Sequence, residues 1–153
     1  MISLALYQPE IPANTGTLIR LSACLNVTLH IIGPTGFAMN ERALKRAGMD
    51  YSDMTKTVMH RSAEDFLHAV AWERPRLILA TTKAQTAYTD VSYAGNDLII
   101  MGRESAGAPD WLHKRADMRV RIPLVSKARS LNLAVSASMI VGEALRQTRQ
   151  FAG

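Results

Sequence analysis

Residues 120–146 read VRIPLVSKARSLNLAVSASMIVGEALR, and the fold that we expect follows from this stretch. An apolar strand at residues 118–122 ends at Pro123, because proline lacks the N–H that would continue a sheet ladder. A polar loop at residues 125–132 follows, and then a helix from Leu133 to about Arg149 that carries small side chains on several faces. Polar loops between a strand and a helix N-terminus often bind ligands in α/β proteins, so this loop is the first functional candidate.

The rest of the chain alternates apolar strands with helices. Further strands are predicted at residues 2–7, 27–32, 54–59, 76–81 and 98–101. Further helices are predicted at residues 14–25 with Asn14 as the N-cap, 41–47 closed by Gly48, 62–72, and from Pro109 to His113. This alternation predicts an α/β fold with a mostly parallel sheet flanked by helices. No repeat, low-complexity segment or linker interrupts it, so we expect a single domain over residues 1–153.

Composition narrows the class of protein. The 153 residues are 48% hydrophobic and 20% charged, which is ordinary for a globular protein and argues against disorder. The net charge of +5 suits a nucleic-acid partner, although solubility alone explains it as well. The single cysteine, Cys24, is interpreted as a small buried hydrophobe and favours a reducing compartment. Without a signal peptide or an apolar run of about 20 residues, a cytoplasmic protein with no membrane contact is expected.

Several common sites are excluded by their missing motifs. The chain has neither GxGxxG after its first strand nor GxxxxGK[ST], so the usual dinucleotide-binding and P-loop interpretations fail. Its four histidines are scattered and lack metal-ligand spacing with a carboxylate or with Cys24, so no metal site is expected.

Three polar clusters each follow a predicted strand. They read NTGTLIR at residues 14–20, GRESAGAP at 102–109 and SKARSLN at 126–132. Taken singly, the first is compatible with a capped helix and a solvated arginine, and the second with an ordinary strand-to-helix connection. Loops that follow strands gather at one edge of an open α/β sheet, so their convergence favours a functional site.

Together these segments resemble a known family. PEIPANTGTLIR, LIIMGRESAGAP and RIPLVSKARSLNLAVSASMIVGEALR are similar, in order and separation, to the three motifs of the SpoU branch of the SPOUT RNA methyltransferases. The resemblance is closest to the TrmL/YibK-like tRNA (cytidine(34)/uridine(34)-2'-O)-methyltransferases. It implies a C-terminal deep trefoil knot, which pattern alone would not predict because knots are almost absent from folds. It also implies S-adenosylmethionine as methyl donor, the ribose 2'-hydroxyl of the tRNA wobble nucleotide as acceptor, and a homodimer built on the first and last helices.

The resemblance also implies roles for individual residues. Arg20 matches the catalytic arginine, with Asn14, Glu104, Ser130 and Asn132 as its supporting polar residues. Because a guanidinium stays protonated, Arg20 is interpreted as a clamp for a phosphate or hydroxyl rather than as the proton acceptor. The donor is expected to contact Ala80, Thr81, Met101, Gly102, Gly107, Ile122, Leu124, Ser130 and Leu131.

The chain departs from the family pattern at four positions. Arg103 stands where proline is usual, Ala108 where leucine is common, Ala134 where serine is frequent, and Gly142 where wobble-position members often carry tyrosine. Arg103 and Lys127 add positive charge near the expected site, which suits phosphates. Candidate RNA-backbone contacts elsewhere on the surface are Lys45, Arg46, Arg61, Arg146 and Arg149.

Three functions therefore stay open at this point. The first is a 2'-O-methyltransferase acting on tRNA position 34 through the anticodon loop. The second is the same chemistry on another tRNA position or on ribosomal RNA. The third is a protein that binds the donor and RNA without turnover, against which the intact Arg20, Glu104, Ser130 and Asn132 argue.

Overall fold

Within residues 1–46 and 56–153, which the computed structural model describes, six strands form one parallel sheet between helices. The strands are β1 (Ser3–Tyr7), β2 (Thr28–Ile32), β3 (Thr57–His60), β4 (Leu77–Ala80), β5 (Leu98–Met101) and β6 (Met118–Val120). The helices are α1 (Pro12–Leu25), α2 (Glu41–Arg46), α3 (Ala63–Val70), α4 (Asp110–Arg115) and α5 (Leu133–Thr148). The expected α/β class with a parallel sheet is confirmed.

The sheet is buried on both faces, which explains why its central strands read as continuous apolar runs. Alternate residues of β1 point to opposite sides. Leu4 and Leu6 pack in a core that includes Leu18 of α1 and Ile140 of α5. Their neighbours face a second core, formed with α3 and α4, whose members include Ala5, Tyr7, Phe66 and Leu112.

Strand order places a crevice at the middle of the sheet. The order is β3-β2-β1-β5-β4-β6, so the chain runs outward from β1 to β3 and then returns to the other side. β1 and β5 are neighbours, with Leu6 opposite Met101. The segments leaving their carboxyl ends diverge at this switch point, where open α/β sheets bind ligands. Two of the polar clusters, NTGTLIR and GRESAGAP, lie in the segments that follow β1 and β5.

The start of α1 differs from the prediction. The helix begins at Pro12, with Ile11 as its N-cap and no side-chain capping bond, so Asn14 as the cap was wrong. Proline fits the first turn of a helix, because its fixed φ is helical and its missing N–H has no intrahelical acceptor there. Asn14 is instead a buried side chain within the first turn. Cys24, expected to be buried, is exposed near the other end of the same helix.

The ends of several other strands and helices differ from the predictions by a few residues. β6 ends at Val120 rather than at residue 122, because Arg121 turns its N–H to the Thr86 carbonyl oxygen, 2.9 Å away, outside the sheet. α3 ends at Val70 rather than at residue 72, and α4 continues to Arg115 rather than ending at His113. The predicted ends at Ala47 and Gly48, and the predicted strand start at residue 54, lie outside the described residues.

A histidine pair packs between the outer strands and α3. His30 Nδ1 lies 2.9 Å from His60 Nε2, and both rings contact the edge of Phe66. Burial lowers the pKa of His30 to about 4, with the His60 charge as a smaller cause. Burial also lowers the pKa of His60, against the opposing effect of Asp65. The pair is therefore neutral at pH 7 in the folded protein.

Acid should destabilise the fold through this pair. The unfolded histidines titrate near pH 6.5, above their folded pKa values, so the unfolded chain binds more protons as the pH falls. We expect the free energy of unfolding to decrease by about 2 kcal/mol between pH 6.5 and pH 4 on this account. Urea unfolding at several pH values between 6.5 and 4 measures this change in the free energy of unfolding. His30→Asn should remove most of the dependence, whereas His68→Asn, at an exposed position of α3, should retain it; equal slopes in both variants would contradict the assignment.

Candidate active site

A cavity of about 570 Å³ opens at the carboxyl ends of the strands. Its walls come from the segments that follow β4, β5 and β6 and from the N-terminal ends of α1 and α5. Every residue that the resemblance assigns to the donor lines this cavity. Asn14, Glu104, Ser130 and Asn132 line it as well. Three distant sequence motifs therefore meet at one place, although the individual roles of these residues stay predictions.

Arg20 is placed differently. It is exposed on α1 and is not among the residues that line the cavity. It follows Asn14 by six residues, which corresponds to about 9 Å along the helix axis. The sequence motif groups the two residues, but Asn14 is buried beside the cavity whereas Arg20 is exposed. Any action of Arg20 on a substrate must therefore come from outside the cavity wall.

Two asparagines join the ends of α1 and α5. Asn132 is the N-cap of α5, where its Oδ1 accepts hydrogen bonds from the N–H groups of Ala134 at 2.8 Å and Val135 at 3.2 Å. Its Nδ2 donates to Oδ1 of Asn14 at 2.8 Å. Capping fixes the side-chain orientation of Asn132, and the amide–amide bond then fixes the cavity wall formed by both helices. In this structure the two asparagines therefore shape the cavity.

Glu104 binds the start of α1. Its carboxylate accepts the N–H of Glu10 at 2.9 Å and that of Ile11 at 3.2 Å, two backbone donors at the helix N-terminus. A carboxylate is favoured there because the helix dipole is positive at that end. Glu104 thus connects the segment after β5 to the segment after β1, which the sequence motif could not show.

A reciprocal bond strengthens this connection. Ser105 donates its backbone N–H to Oε1 of Glu10 at 3.0 Å and its hydroxyl to the same oxygen at 2.7 Å. The backbone and hydroxyl bonds from Ser105 hold the pKa of Glu10 below its usual range, with the charge of Arg103 adding to the effect. Sequence reasoning missed Glu10, because a glutamate between two prolines carries no signal of a partner 95 residues away.

The turn after β5 is tight. Arg103 and Gly107 exchange backbone hydrogen bonds, each 3.0 Å long, and Gly107 has a φ of +65°. A Cβ on Gly102 would lie 2.5 Å from the Gly107 carbonyl carbon and 2.6 Å from the Ala108 nitrogen. Glycine is therefore required at Gly102 for two backbone segments to approach each other, and at Gly107 for a left-handed conformation.

The cavity is electropositive. Its lining includes Lys83, Arg103, Arg121 and Arg129. Within the part of the chain that the structure describes, Glu104 is the carboxylate that lines it, and that group already accepts hydrogen bonds from α1. Clustered cations in a concave site attract anions such as RNA phosphates.

The shape and chemistry of the lining fit S-adenosylmethionine. Gly102, Gly107 and Ala80 line the cavity with little or no side chain, and Ile122 and Leu124 add apolar side chains. Small residues and main-chain groups of this kind accommodate an adenosine and an amino acid together. Among residues 1–46 and 56–153, no group of three or more His, Cys, Asp or Glu side chains is arranged to hold a metal ion. Across the same residues, no helix is both long enough and apolar enough to span a bilayer.

Comparisons with known proteins agree with this architecture. The model of the SpoU rRNA Methylase family matches residues 1–142. A tRNA (cytidine(34)-2'-O)-methyltransferase from Ancylobacter novellus is 47% identical over 99% of this chain and 96% of its own. A solved structure reported as structural insights into the 2-OH methylation of C/U34 on tRNA has a TM-score of 0.87 and 36% identity, covering 96% of this chain and 95% of its own.

A more distant structure shares the same fold. It is an S-adenosylmethionine-bound rRNA methyltransferase from Sinorhizobium meliloti, with a TM-score of 0.80 and 27% identity over 95% of this chain and 56% of its own. The family model, the relative and both structures span nearly the whole chain, including all three motifs around the cavity. The chain therefore belongs to the SpoU rRNA methylase family.

Proposed function

We propose that this protein transfers a methyl group from S-adenosylmethionine to the ribose 2'-hydroxyl of nucleotide 34 in tRNA, a cytidine or a modified uridine. The observation that carries the proposal is the meeting of three SpoU motifs in one electropositive cavity. Relatives of nearly the same length that act on cytidine 34 of tRNA support the choice of substrate. We place the reaction in the cytoplasm.

S-adenosylmethionine supplies an electrophilic methyl group on a positively charged sulfur when it is bound. The chain must hold the ribose hydroxyl in line with that methyl group and stabilise the charge that develops on the attacking oxygen. Ser130 and the Asn14–Asn132 pair lie in the cavity wall, where they can orient the hydroxyl. Arg20 then clamps a phosphate or the hydroxyl, and the proton passes to a substrate phosphate or leaves late in the transition state.

Glu104 has a positioning role in this proposal. Its two bonds to the N-terminus of α1 keep the segments after β1 and β5 together. Each of its two carboxylate oxygens already accepts one of these backbone N–H groups, so the side chain is oriented toward α1. We therefore assign Glu104 to maintaining the cavity rather than to removing the proton.

We also propose that residues 1–153 form one domain with a C-terminal trefoil knot. The segment 82–97 contacts the C-terminal part of the chain on two sides, which supports this. On one side, the Tyr88 N–H donates to the Arg121 carbonyl oxygen at 2.9 Å. On the other, Gln147 of α5 donates to the Val91 carbonyl oxygen at 3.0 Å and accepts from the Tyr93 N–H at 3.0 Å.

A homodimer completes the proposed enzyme. Val135 and Met139 lie four residues apart on α5 and are 49% and 37% exposed. Residues at this spacing share one face of a helix, so they form an apolar strip that a second copy could cover. In this proposal the dimer holds the tRNA anticodon loop.

The test is methyl transfer from labelled S-adenosylmethionine to total tRNA, followed by mapping of the labelled nucleoside. Label on the ribose of nucleotide 34 is the expected result, and it also identifies the base. Label on another tRNA nucleotide, or only on ribosomal RNA offered in parallel, would replace the proposed substrate. No transfer to any RNA with donor binding intact would overturn the enzymatic proposal in favour of a binding protein.

A further inference from the structure

The guanidinium of Arg103 in the cavity wall is held in place without forming hydrogen bonds of its own to the described part of the chain. Arg103 lines the cavity, and its guanidinium carbon lies 5.3 Å from the centroid of the Tyr7 ring. Tyr7 in turn packs against Trp111 in an edge contact with centroids 5.9 Å apart. The paired backbone bonds to Gly107 fix the main chain of Arg103. Cation–π attraction and a rigid backbone therefore position this cation before any ligand binds.

The guanidinium of Arg103 has no hydrogen-bond or ion-pair partner among the residues that the structure describes. Its buried Nε–H donates no hydrogen bond, and neither a hydrogen bond nor an ion pair of the guanidinium is found within residues 1–46 and 56–153. The nearby Glu10 carboxylate is bound by Ser105 instead. A guanidinium carries five N–H donors and a permanent charge, and buried donors are satisfied in most native structures. The arrangement therefore points to an anionic ligand.

The position of Arg103 favours RNA over the methyl donor as that ligand. Tyr7, under the guanidinium, is the last residue of β1. In the predicted donor site, Ala80 is the last residue of β4 and Ile122 follows β6, and both strands lie on the other side of β5. The sulfonium of S-adenosylmethionine would repel a neighbouring cation. RNA carries a phosphate at every nucleotide, and the planar fork of arginine matches phosphate geometry.

We propose that Arg103 binds a backbone phosphate of the substrate RNA next to the nucleotide that receives the methyl group. The inference rests on the proposed function and deepens it by naming a residue that grips the substrate. Proline, usual at this position in the motif that the segment resembles, lacks the N–H that Arg103 donates to Gly107. Arginine therefore adds both a cation and a backbone hydrogen bond to the turn.

The test is the affinity of Arg103→Gln for an RNA hairpin carrying an anticodon loop, measured by fluorescence anisotropy at several salt concentrations. We expect Kd to rise about tenfold, the usual scale for a lost charge-assisted bond. The slope of log K against log salt should decrease in magnitude by about 0.7–0.9, the value for one phosphate contact. Arg103→Lys keeps the charge but lacks the paired N–H donors of the guanidinium. It should therefore recover part of the RNA affinity and most of the salt slope.

Arg115→Gln is the matched control. It removes the same charge from an exposed residue at the end of α4, which leads into the amino end of β6, away from the cavity. The control should leave RNA affinity, salt slope and donor affinity unchanged. The affinity of Arg103→Gln for S-adenosylmethionine, measured by calorimetry, should equal that of the unaltered protein, and its KM for tRNA should rise with kcat nearly constant.

The possible failures are distinguishable. Unchanged RNA affinity and salt slope in Arg103→Gln, while the unaltered protein binds and methylates tRNA, would overturn the inference alone. Weaker donor binding with unchanged RNA binding would assign Arg103 to the donor and overturn it as well. If the unaltered protein neither binds the hairpin nor methylates tRNA, the proposed function falls and the inference falls with it.

Discussion

Replacing Arg20 by alanine should reduce methyl transfer to tRNA by at least about 100-fold, the scale on which removal of one transition-state donor acts. The physical reason is the loss of a fixed positive charge that orients the ribose and stabilises developing negative charge. Because Arg20 does not line the cavity, the same change should leave the Kd for S-adenosylmethionine within about twofold, a difference well under 1 kcal/mol. Single-turnover rates with saturating donor, and calorimetric titration of the donor, measure the two quantities separately.

Thr17→Ala is a suitable control for this experiment. Thr17 is exposed on the same helix, and its hydroxyl donates to the Ala13 carbonyl oxygen, so the change is local. It should leave both rate and donor affinity unaltered. Full turnover in Arg20→Ala would refute the catalytic role. A large loss of donor affinity would instead mean that Arg20 acts on the cavity. Substitution by lysine distinguishes charge from geometry, because lysine keeps the charge but cannot form a bidentate contact.

Local sequence signals predicted most of the fold for a physical reason. Buried parallel strands read as continuous apolar runs, and residues 98–101 and 77–80 are such runs. The start of α5 at Leu133 was predicted correctly, because an unbroken helical pattern follows the polar loop. The start of α1 was predicted wrongly. Both Asn14 and the prolines before it are compatible with a helix start, and the helix begins at Pro12.

The interactions that shape the site could not be predicted in the same way. Glu104 with Ile11, Ser105 with Glu10, and Arg103 with Tyr7 are each more than 90 residues apart in the chain. Such pairs depend on β1 and β5 being neighbours, and strand order is not encoded in any local pattern. The resemblance to a family predicted which residues belong to the site. The structure showed the contacts between them and the position of Arg20 outside the cavity wall.

Replacing Gly102 by alanine should strongly weaken donor binding. The added Cβ would lie 2.5 Å from the Gly107 carbonyl carbon and 2.6 Å from the Ala108 nitrogen, both backbone atoms that cannot turn aside as a side chain can. The turn at residues 102–107 must therefore open, and it forms one wall of the cavity. Overpacking of this kind costs about 1–3 kcal/mol, which corresponds to a rise of roughly 5- to 150-fold in the Kd for S-adenosylmethionine.

Gly95→Ala provides the comparison, since it makes the same chemical change outside the cavity. A Cβ there would meet the side-chain amide of Gln150 at 2.9 Å, and a flexible side chain can move away at little cost. Gly95→Ala should therefore bind the donor normally, and thermal unfolding should show that both variants are folded at the assay temperature. If folded Gly102→Ala binds S-adenosylmethionine as tightly as Gly95→Ala does, the donor does not depend on the turn at residues 102–107. The placement of the donor against that wall would then be wrong.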